Sequence, residues 1–309
     1  GEPTLLGVEY FKKAVELQKK YANGKEIANS FQTNGTLIDD TWAEFLAKNN
    51  FLCGLSIDGP QQFHDNHRRF LNGKGSWEKV VECARIFRKH GVEFNTMSVV
   101  NATNSKHPVA VYEFLKELGS RFMQFSPIAE RIATDESENL SIVSNSYSKE
   151  AAIMRENVSA IDWGNFLCRI FDKWVKTDVG AYYVNYFDNT LAAYVGQMPS
   201  LCSMAQYCGC SLAIEHNGDA YCCDHFVFPE HRIGNIMETG LACLTARLRA
   251  DTPALIRGET RPVTISLSPN TLGEISDRKS LPAQGLICSN IKIQEQSHEI
   301  TYNPFNRCD

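Results

Sequence analysis

The stretch "EIANSFQTNGTLIDDTWAEFLAKNNFLCGLSIDG", residues 26–59, contains the unit from which the fold of this chain can be predicted. Its two ends, 26–35 and 51–59, are short apolar runs bounded by Asn and Gly, which is typical of β-strands. The segment between them opens on aspartates and closes on asparagines, as helices commonly do. Strand, helix and strand in this order predict two parallel strands joined by a right-handed crossover.

The same alternation continues along the first 130 residues. Further strands are predicted at 92–101 and 121–129, with helices at 7–24, 76–91 and 107–119. The Gly-rich phosphate-binding fingerprint of a doubly wound sheet is absent from the sequence, so a barrel or partial barrel is favoured. In such barrels the functional residues gather at the carboxyl ends of the strands.

Polar side chains occupy all four predicted strand ends. For a single residue this is equally expected from the start of a loop, but four successive polar ends favour a shared pocket. The residues are Gln32, Thr33 and Asn34, then Ser56 and Asp58, then Asn101, and finally Gln124 and Ser126.

Composition limits the class of protein. With a net charge of −5 the chain shows no sign of the basic face that nucleic-acid binding needs. No apolar run approaches the roughly 18 residues of a membrane span. The 11 cysteines are odd in number, and five of them fall within 202–223. This distribution favours a reduced, cytoplasmic protein with a metal or cluster site over a secreted disulfide scaffold.

The pattern changes twice after the first strands and helices. From about 131 to 162 the pattern weakens, and its Ser-, Asn- and Glu-rich part, 133–150, is interpreted as a loop or insertion, before a helical pattern resumes at 162–180. Residues 241–309 contain only two of the 32 aromatic residues and no strong period. We therefore expect three segments, 1–162, 163–240 and an atypical, disordered tail at 241–309. A frameshifted reading of the gene would explain this tail, and a diverged but genuine tail is the alternative.

A cysteine group precedes the tail. Cys202, Cys208 and Cys223 are separated by 5 and 14 residues, and "SLAIEHNGDAYCCD" (211–224) predicts a hairpin around an Asn-Gly turn. Such cysteines bind zinc or an iron–sulfur cluster. Zinc sites usually contain tight C-x2-C knuckles, which are missing, so a cluster is favoured. A set of buried thiols in a reduced protein is the alternative.

Two neighbours of Cys223 need separate interpretations. Strand alternation places Cys222 on the opposite face, where a packed thiol is expected. Asp224 could transfer protons beside a cluster or could be an ordinary surface aspartate, and spacing alone does not decide between them. By alternation Asp224 lies on the side of Cys222, so a local turn is needed to bring it near Cys223.

Seven motifs in order resemble the anaerobic sulfatase-maturating enzymes. These are radical S-adenosylmethionine (AdoMet) proteins with a cluster-binding C-terminal extension of the SPASM type. The resemblance runs from Gly1 to about Ile236. The motifs are "GEPTLLG", "NSFQTNGTLIDDTWAEFL", "GLSIDGPQQFHDNHRR", "VEFNTMSVVN", "MQFSPIAE", "NGDAYCCDHFV" and "RIGNI".

The resemblance implies a fold and a reaction. The fold would be a partial (β/α)6 TIM-like radical SAM barrel, without its first strand and cluster loop, followed by a cysteine-containing β-hairpin extension. The family oxidises a cysteine or serine of a sulfatase precursor to Cα-formylglycine. A [4Fe–4S] cluster cleaves AdoMet reductively, and the resulting radical removes a Cβ hydrogen. Partners would be the sulfatase precursor peptide and an electron donor such as flavodoxin or ferredoxin.

The resemblance also implies a site for AdoMet. Gly1 and Glu2 match the end of the GGEP motif, which binds the methionine amino group. Ser56 and Arg68 match positions that contact AdoMet. Ala129 falls at another such position, where the family usually has a larger apolar residue.

Residues on the substrate side and in the cysteine group are implied in the same way. Gln32 lies in the family's QTN motif near the substrate. Cys202, Cys208 and Cys223 match three ligands of the first auxiliary cluster, and Asp224 matches the proposed base for the target side chain. The sequence does not indicate whether a cysteine-type or a serine-type sulfatase is the target.

Two departures from the family pattern concern activity. The C-x3-C-x2-C motif of the radical-generating cluster does not occur in the sequence, which starts inside GGEP without a Met and is interpreted as missing its N-terminus. Beyond Gly240 only Cys243, Cys288 and Cys308 remain, in place of a C-x2-C-x5-C-x3-C run. We expect these 309 residues by themselves to be inactive. Alternatives are a non-catalytic remnant that binds AdoMet or peptide, another SPASM peptide-modifying enzyme, or an unrelated cysteine-ligated metal protein.

Overall fold

The computed structural model describes residues 2–134, 140–142, 152–205 and 211–246, together with the strand pair at 264–265 and 300–301. Two compact units account for these residues. Unit 1 contains 2–130 and 153–188, and unit 2 contains the remainder. The predicted site residues Gly1 and Cys208, and most of the predicted tail, lie outside the described residues.

Unit 1 is built on a parallel five-stranded sheet. Its strands are β1 (Ser30–Thr33), β2 (Leu52–Ser56), β3 (Phe94–Val100), β4 (Phe122–Pro127) and β8 (Tyr183–Val184). They lie in the order β1-β2-β3-β4-β8, and every neighbouring pair is parallel. The predicted parallel α/β sheet is therefore confirmed, with a fifth strand after the first four.

Helices connect these strands. The helices predicted from sequence are present, whereas α3 was not predicted because seven residues carry too little periodicity. The helices are α1 (Val8–Tyr21), α2 (Asp40–Lys48), α3 (Gln61–His67), α4 (Trp77–His90), α5 (Pro108–Leu118), α6 (Ala160–Thr177) and α7 (Asn185–Tyr194).

Local sequence determines where the helices begin and end. The Asp39 carboxylate accepts a hydrogen bond of 2.9 Å from the backbone N–H of Trp42 and so caps α2. Helix α4 ends at Gly91, whose φ of +69° is a left-handed conformation that suits glycine. Helix α5 opens with Pro108, where the missing N–H removes no helical hydrogen bond.

The two faces of the sheet differ in character. Alternate residues of the strands are buried against the helices, while the other set includes the less buried Gln32 and Ser56. Burial of the apolar face is the main source of stability for such a layer. The buried side chains of the strands include Phe31, Cys53, Leu55, Val100, Met123 and Phe125, and those of the helices include Leu46, Phe87, Leu115, Phe166 and Ile170.

A buried carboxylate joins α5 to the end of α6. Asp178 is 5% exposed and accepts hydrogen bonds of 2.8 Å from Tyr112 Oη and 2.8 Å from Lys116 Nζ. Burial by itself would raise the pKa of Asp178, but the hydrogen bonds from Lys116 and Tyr112 outweigh it and lower the pKa. These hydrogen bonds thus hold α5 against the end of α6.

Unit 2 contains short antiparallel strands. The segment in which the pattern weakens, 131–162, includes β5 (Arg131–Thr134), β6 (Leu140–Ile142) and β7 (Ala152–Ile153), in the order β6-β5-β7. The expectation of a loop was therefore wrong for the strand residues within 133–150. Strands of two to four residues are too short to show a period in the sequence.

The predicted hairpin of unit 2 is confirmed. Strand β9 (Ala213–Ile214) pairs antiparallel with β10 (Asp219–Tyr221), and β11 (Arg232–Asn235) adds a third strand. A last pair, β12 (Thr264–Ile265) and β13 (Ile300–Thr301), is also antiparallel. Among the helices that the structure describes, none has the length and apolar character required to cross a membrane.

Replacing Asp178 tests the link between α5 and α6. We expect Asp178→Ala to lower the free energy of unfolding by about 3 kcal/mol, because Tyr112 loses its acceptor and Lys116 keeps only the longer, 3.7 Å contact with Glu113. Urea unfolding measures this, with Asp172→Ala, an exposed aspartate of α6, as the control that changes it by less than about 0.5 kcal/mol.

The stabilisation by Asp178 should also depend on pH. Since its pKa is lower in the folded protein, its contribution is present above the unfolded pKa of about 3.9 and is lost as pH falls through the folded pKa. Equal stabilities of the wild type and Asp178→Ala at neutral pH would contradict the assignment.

Candidate functional site

The carboxyl ends of β1 and β2 bring two predicted site residues into contact. Gln32 Nε2 donates a hydrogen bond of 2.9 Å to Ser56 Oγ. The parallel register pairs Thr33 with Leu55, so Gln32 and Ser56 lie on the same face of adjacent strands. Two of the four predicted polar strand ends are therefore in contact, and they join a residue expected near the substrate to one expected at AdoMet.

Gly54 makes room for this contact. A Cβ atom added at Gly54 would lie only 1.9 Å from Gln32 Oε1 and 3.2 Å from Asn95 Oδ1. The Gln32 amide therefore lies directly against the backbone of β2, an arrangement that a larger residue at position 54 would prevent.

Asn95 is a candidate that the sequence reasoning missed. It pairs with Gly54 across β2 and β3, and its Oδ1 is buried with no hydrogen-bond partner among the described residues. A buried, unpaired amide oxygen is costly unless a ligand or another donor reaches it. The available signal was a polar residue opposite a strand glycine, on the face that carries Gln32.

Glu2 connects the start of the described chain to the end of β1. Its Oε1 accepts hydrogen bonds from the backbone N–H and the hydroxyl of Thr4, at 3.1 and 2.6 Å, and from the Thr33 hydroxyl at 2.8 Å. Its Oε2 accepts a bond of 2.8 Å from the backbone N–H of Asn34. The Glu2 carboxylate thus fastens this segment to the end of β1.

Arg68 is held by a buried carboxylate just beyond β2. Its Nε and Nη2 donate bonds of 2.6 and 3.1 Å to the two oxygens of Asp58, which is 2% exposed. Asp58 Oδ1 also accepts a bond of 2.9 Å from the backbone N–H of Val99 on β3. Within the described part of the chain Arg68 Nη1 has no partner, so this nitrogen remains able to bind an anion.

Ala129 lies beyond the end of β4. Its side chain is exposed, and the preceding residue, Ile128, donates a backbone hydrogen bond of 2.9 Å to Val100. The structure therefore places Ala129 next to the carboxyl ends of β3 and β4, the same edge of the sheet that carries Ser56. Ala129 presents only a methyl group there.

The cysteine module belongs to unit 2. Cys222 is buried, in agreement with the predicted packed thiol, whereas Cys223 is partly exposed. Strand β10 ends at Tyr221, and a turn follows in which the backbone N–H of Phe226 donates to Cys223. This is the local turn that Asp224 needed, and Cys223 Sγ lies 3.3 Å from Asp224 Oδ1.

His225 completes a group of metal-ligating side chains. One ligand atom each from Cys223, Asp224 and His225 lies within 4.8 Å of the others. His225 Nδ1 is 3.2 Å from Asp224 Oδ1, and the His225 backbone N–H donates to Cys223 Sγ at 3.4 Å. The sequence analysis assigned no role to His225, although histidine, like cysteine, is a common metal ligand.

The pKa values of the Cys223 thiol and the Asp224 carboxylate are shifted in opposite directions. The pKa of Cys223 is raised to about 11, mainly by burial. The hydrogen bond to Asp224 and the charges of Asp224 and Cys202 raise it further, whereas the hydrogen bond from the His225 backbone N–H lowers it. Burial works to raise the pKa of Asp224, but hydrogen bonding by Cys223 and the charge of His225 lower it. Without a metal, Cys223 is therefore a thiol and Asp224 a carboxylate at neutral pH.

Comparison with known proteins identifies relatives. The profile of the Radical SAM superfamily matches residues 1–115. A serine-type anaerobic sulfatase-maturating enzyme of Bacteroides thetaiotaomicron is 49% identical over 236 residues, which are 76% of this chain and 57% of that protein. A cysteine-type anaerobic sulfatase-maturating enzyme of Clostridium perfringens is 37% identical over 243 residues, covering 77% and 61%. The chain thus spans about 60% of the length of these relatives.

A solved structure also resembles this chain. The structure described as native anSMEcpe with bound AdoMet and Cp18Cys peptide superposes with a TM-score of 0.69 at 34% sequence identity. The match covers 82% of this chain and 67% of that chain. On this evidence the chain belongs to the anaerobic sulfatase-maturating enzymes of the radical SAM superfamily.

Proposed function

We propose that this chain supplies the AdoMet-binding and substrate-binding parts of an enzyme that oxidises a cysteine or serine of a sulfatase to Cα-formylglycine. One observation carries the proposal. Arg68 is fixed by the buried Asp58, keeps one nitrogen free, and follows the strand whose end carries Ser56. A guanidinium fixed by a carboxylate just beyond the carboxyl end of a parallel strand suits a ligand with a carboxylate.

The residues of unit 1 fit AdoMet. Arg68 would bind the methionine carboxylate, Ser56 would hydrogen-bond to the ligand, and the backbone beside Glu2 would bind the amino group. The unpaired Oδ1 of Asn95 supports a ligand that brings hydrogen-bond donors to this face of the sheet. Ala129 would line the site at the end of β4.

The residues of unit 2 fit an iron–sulfur cluster. We assign Cys202, Cys208 and Cys223 to an auxiliary [4Fe–4S] cluster, since thiolates are its usual ligands. The His225 backbone N–H already donates to Cys223 Sγ, as backbone amides commonly do toward ligating sulfurs. None of the chain's cysteines has the C-x3-C-x2-C spacing, so none is assigned to the cluster that acts on AdoMet.

The oxidation requires three things to leave the target side chain. A hydrogen atom leaves Cβ, a proton leaves the hydroxyl or thiol, and an electron passes to an acceptor. From serine this gives the aldehyde directly, whereas from cysteine it gives a thioaldehyde that water hydrolyses to the aldehyde with release of hydrogen sulfide. When bound, AdoMet and its cluster supply the hydrogen-atom abstraction. Asp224 would take the proton, because it is an accessible carboxylate beside Cys223, and Gln32 would orient the peptide at the edge of the sheet.

The partners follow from the reaction. The solved structure of native anSMEcpe contains a bound peptide, Cp18Cys, which supports a sulfatase precursor peptide as the substrate here. A one-electron donor such as flavodoxin or ferredoxin would reduce the cluster. Cys53 and Cys83 are buried and unpaired, which fits a reducing cytoplasm.

A chimera tests the activity. The 236 residues of the Bacteroides thetaiotaomicron relative that align with this chain are replaced by the residues of this chain, so that the relative's flanking segments complete the protein. After anaerobic reconstitution we expect 5′-deoxyadenosine, and formylglycine in a sulfatase peptide containing serine or cysteine, detected by mass spectrometry. The parent relative is the control. A folded chimera with the iron content of the parent and neither product would contradict the proposal.

Adjacent cysteines test the cluster assignment. In the same chimera Cys223→Ala should lose about four irons per chain, the content of one [4Fe–4S] cluster, because a ligand is removed. Cys222→Ala should retain its iron, because this thiol is buried whereas that of Cys223 is partly exposed. Iron and sulfide analysis after reconstitution provides the measurement. Equal iron loss in the two variants would count against Cys223 as the ligand.

A further inference from the structure

A closed ring of hydrogen bonds surrounds Arg68. The backbone N–H of Asp58 donates to His64 Nδ1 at 3.3 Å, and His64 Nε2 lies 3.0 Å from Ser76 Oγ. The Ser76 hydroxyl donates to the backbone carbonyl of Arg68 at 2.9 Å. The guanidinium of Arg68 then donates to Asp58 and closes the ring.

The direction of these hydrogen bonds determines which ring nitrogen of His64 carries the proton. Its Nδ1 accepts from a backbone N–H, and Ser76 uses its hydroxyl proton on Arg68, so Nε2 must carry the imidazole proton. Burial, against the opposing charge of Asp58, lowers the pKa of His64 to about 4. The imidazole is therefore neutral at physiological pH. Each of the four residues donates a hydrogen bond to the next residue of the ring, in the same direction around it. Hydrogen bonds arranged in this way reinforce one another.

Arg68 lies between α3 and α4, where its main chain is held by two backbone hydrogen bonds. Its N–H donates to the His64 carbonyl at 2.9 Å, and the Ser76 N–H donates to its carbonyl at 3.2 Å. The ring adds the Ser76 hydroxyl on that carbonyl and Asp58 on the side chain. Arg68 follows α3 in an extended conformation, with φ of −101° and ψ of 94°. Its backbone carbonyl is bound by Ser76, at the start of α4, and its side chain by Asp58, beyond β2. Both ends of Arg68 are thus held by groups that belong to different elements of the fold.

We infer that His64 and Ser76 are positioning residues that hold Arg68 Nη1 ready for the carboxylate of AdoMet. The inference rests on the proposed function, which assigns Arg68 to that carboxylate. Neither His64 nor Ser76 touches the ligand in this account. A free arginine side chain loses much rotamer entropy on binding an anion, and the ring removes that loss before the ligand arrives.

Three substitutions and one control variant distinguish a positioning role of His64 and Ser76 from a general contribution to the stability of the fold. His64→Phe keeps a ring of similar shape but removes both hydrogen bonds. Ser76→Ala removes only the hydroxyl, and is the milder variant should His64→Phe fail to fold, while Ser76→Thr retains it. His67→Phe is the matched control, since His67 is an exposed histidine of the same helix that bonds only to Asn66 in the described chain.

The first measurement is made on the complete 309-residue chain. NMR of the 15N-labelled protein at pH 6 follows exchange of the Arg68 Nε–H with water, the signal being assigned by its absence in Arg68→Lys. We expect about tenfold faster exchange in His64→Phe and Ser76→Ala, because loss of a bond in a charged network loosens it. Ser76→Thr and His67→Phe should exchange as the wild type does.

The second measurement uses the chimera described above. His64→Phe and Ser76→Ala should raise the KM for AdoMet about tenfold and change kcat by less than about twofold, because only ground-state positioning is lost. Ser76→Thr should restore the KM. A variant that was merely unstable would instead lose active protein and lower kcat at an unchanged KM.

The outcomes are distinguishable. Wild-type exchange rates in both His64→Phe and Ser76→Ala would overturn the positioning role and leave the proposed function standing. Faster exchange with an unchanged KM would overturn the role toward AdoMet, and would remove Arg68 from the proposed AdoMet site. An inactive wild-type chimera would count against the proposed function, while the exchange rates would still decide whether the ring holds Arg68.

Discussion

The buried carboxylate of Asp58 is the interaction on which the candidate site depends. It accepts hydrogen bonds from Arg68 and from Val99, so it ties the end of β2 both to β3 and to the loop after α3. A carboxylate that is 2% exposed would be costly if unpaired, and Arg68 is the cation that makes its burial tolerable. The same pair that satisfies Asp58 therefore presents a cationic nitrogen at the edge of the sheet.

The two units position their candidate residues by different means. In unit 1, Arg68, Gln32 and Ser56 are held by hydrogen bonds to rigid strand ends and to buried groups. In unit 2 the Asp224 side chain is 81% exposed, and the side chains it contacts, Cys223 and His225, are themselves accessible to solvent. Ligation of iron would add order to such a segment, since metal binding and local folding are coupled.

Much of the fold was predictable because each strand and long helix carries its own period and end signals. The parallel sheet, the hairpin at 211–224 and the family were predicted and are confirmed. Ser56 could be predicted because strand ends of a parallel sheet share one edge. Asn95 and His64 could not, since their importance lies in the register with Gly54 and in a ring that closes through three elements. The roles of the predicted site residues stay predictions, and those of Gly1 and Cys208 concern residues outside the described chain.

The central claim is that Arg68 recognises the carboxylate of AdoMet. The most direct measurement compares the affinity of the reconstituted chimera for AdoMet with its affinity for decarboxylated AdoMet, before and after Arg68→Ala. We expect the wild type to prefer AdoMet by about tenfold or more, as is typical of a charge-assisted hydrogen bond, and Arg68→Ala to abolish the preference. A preference that survives Arg68→Ala undiminished would contradict the central claim.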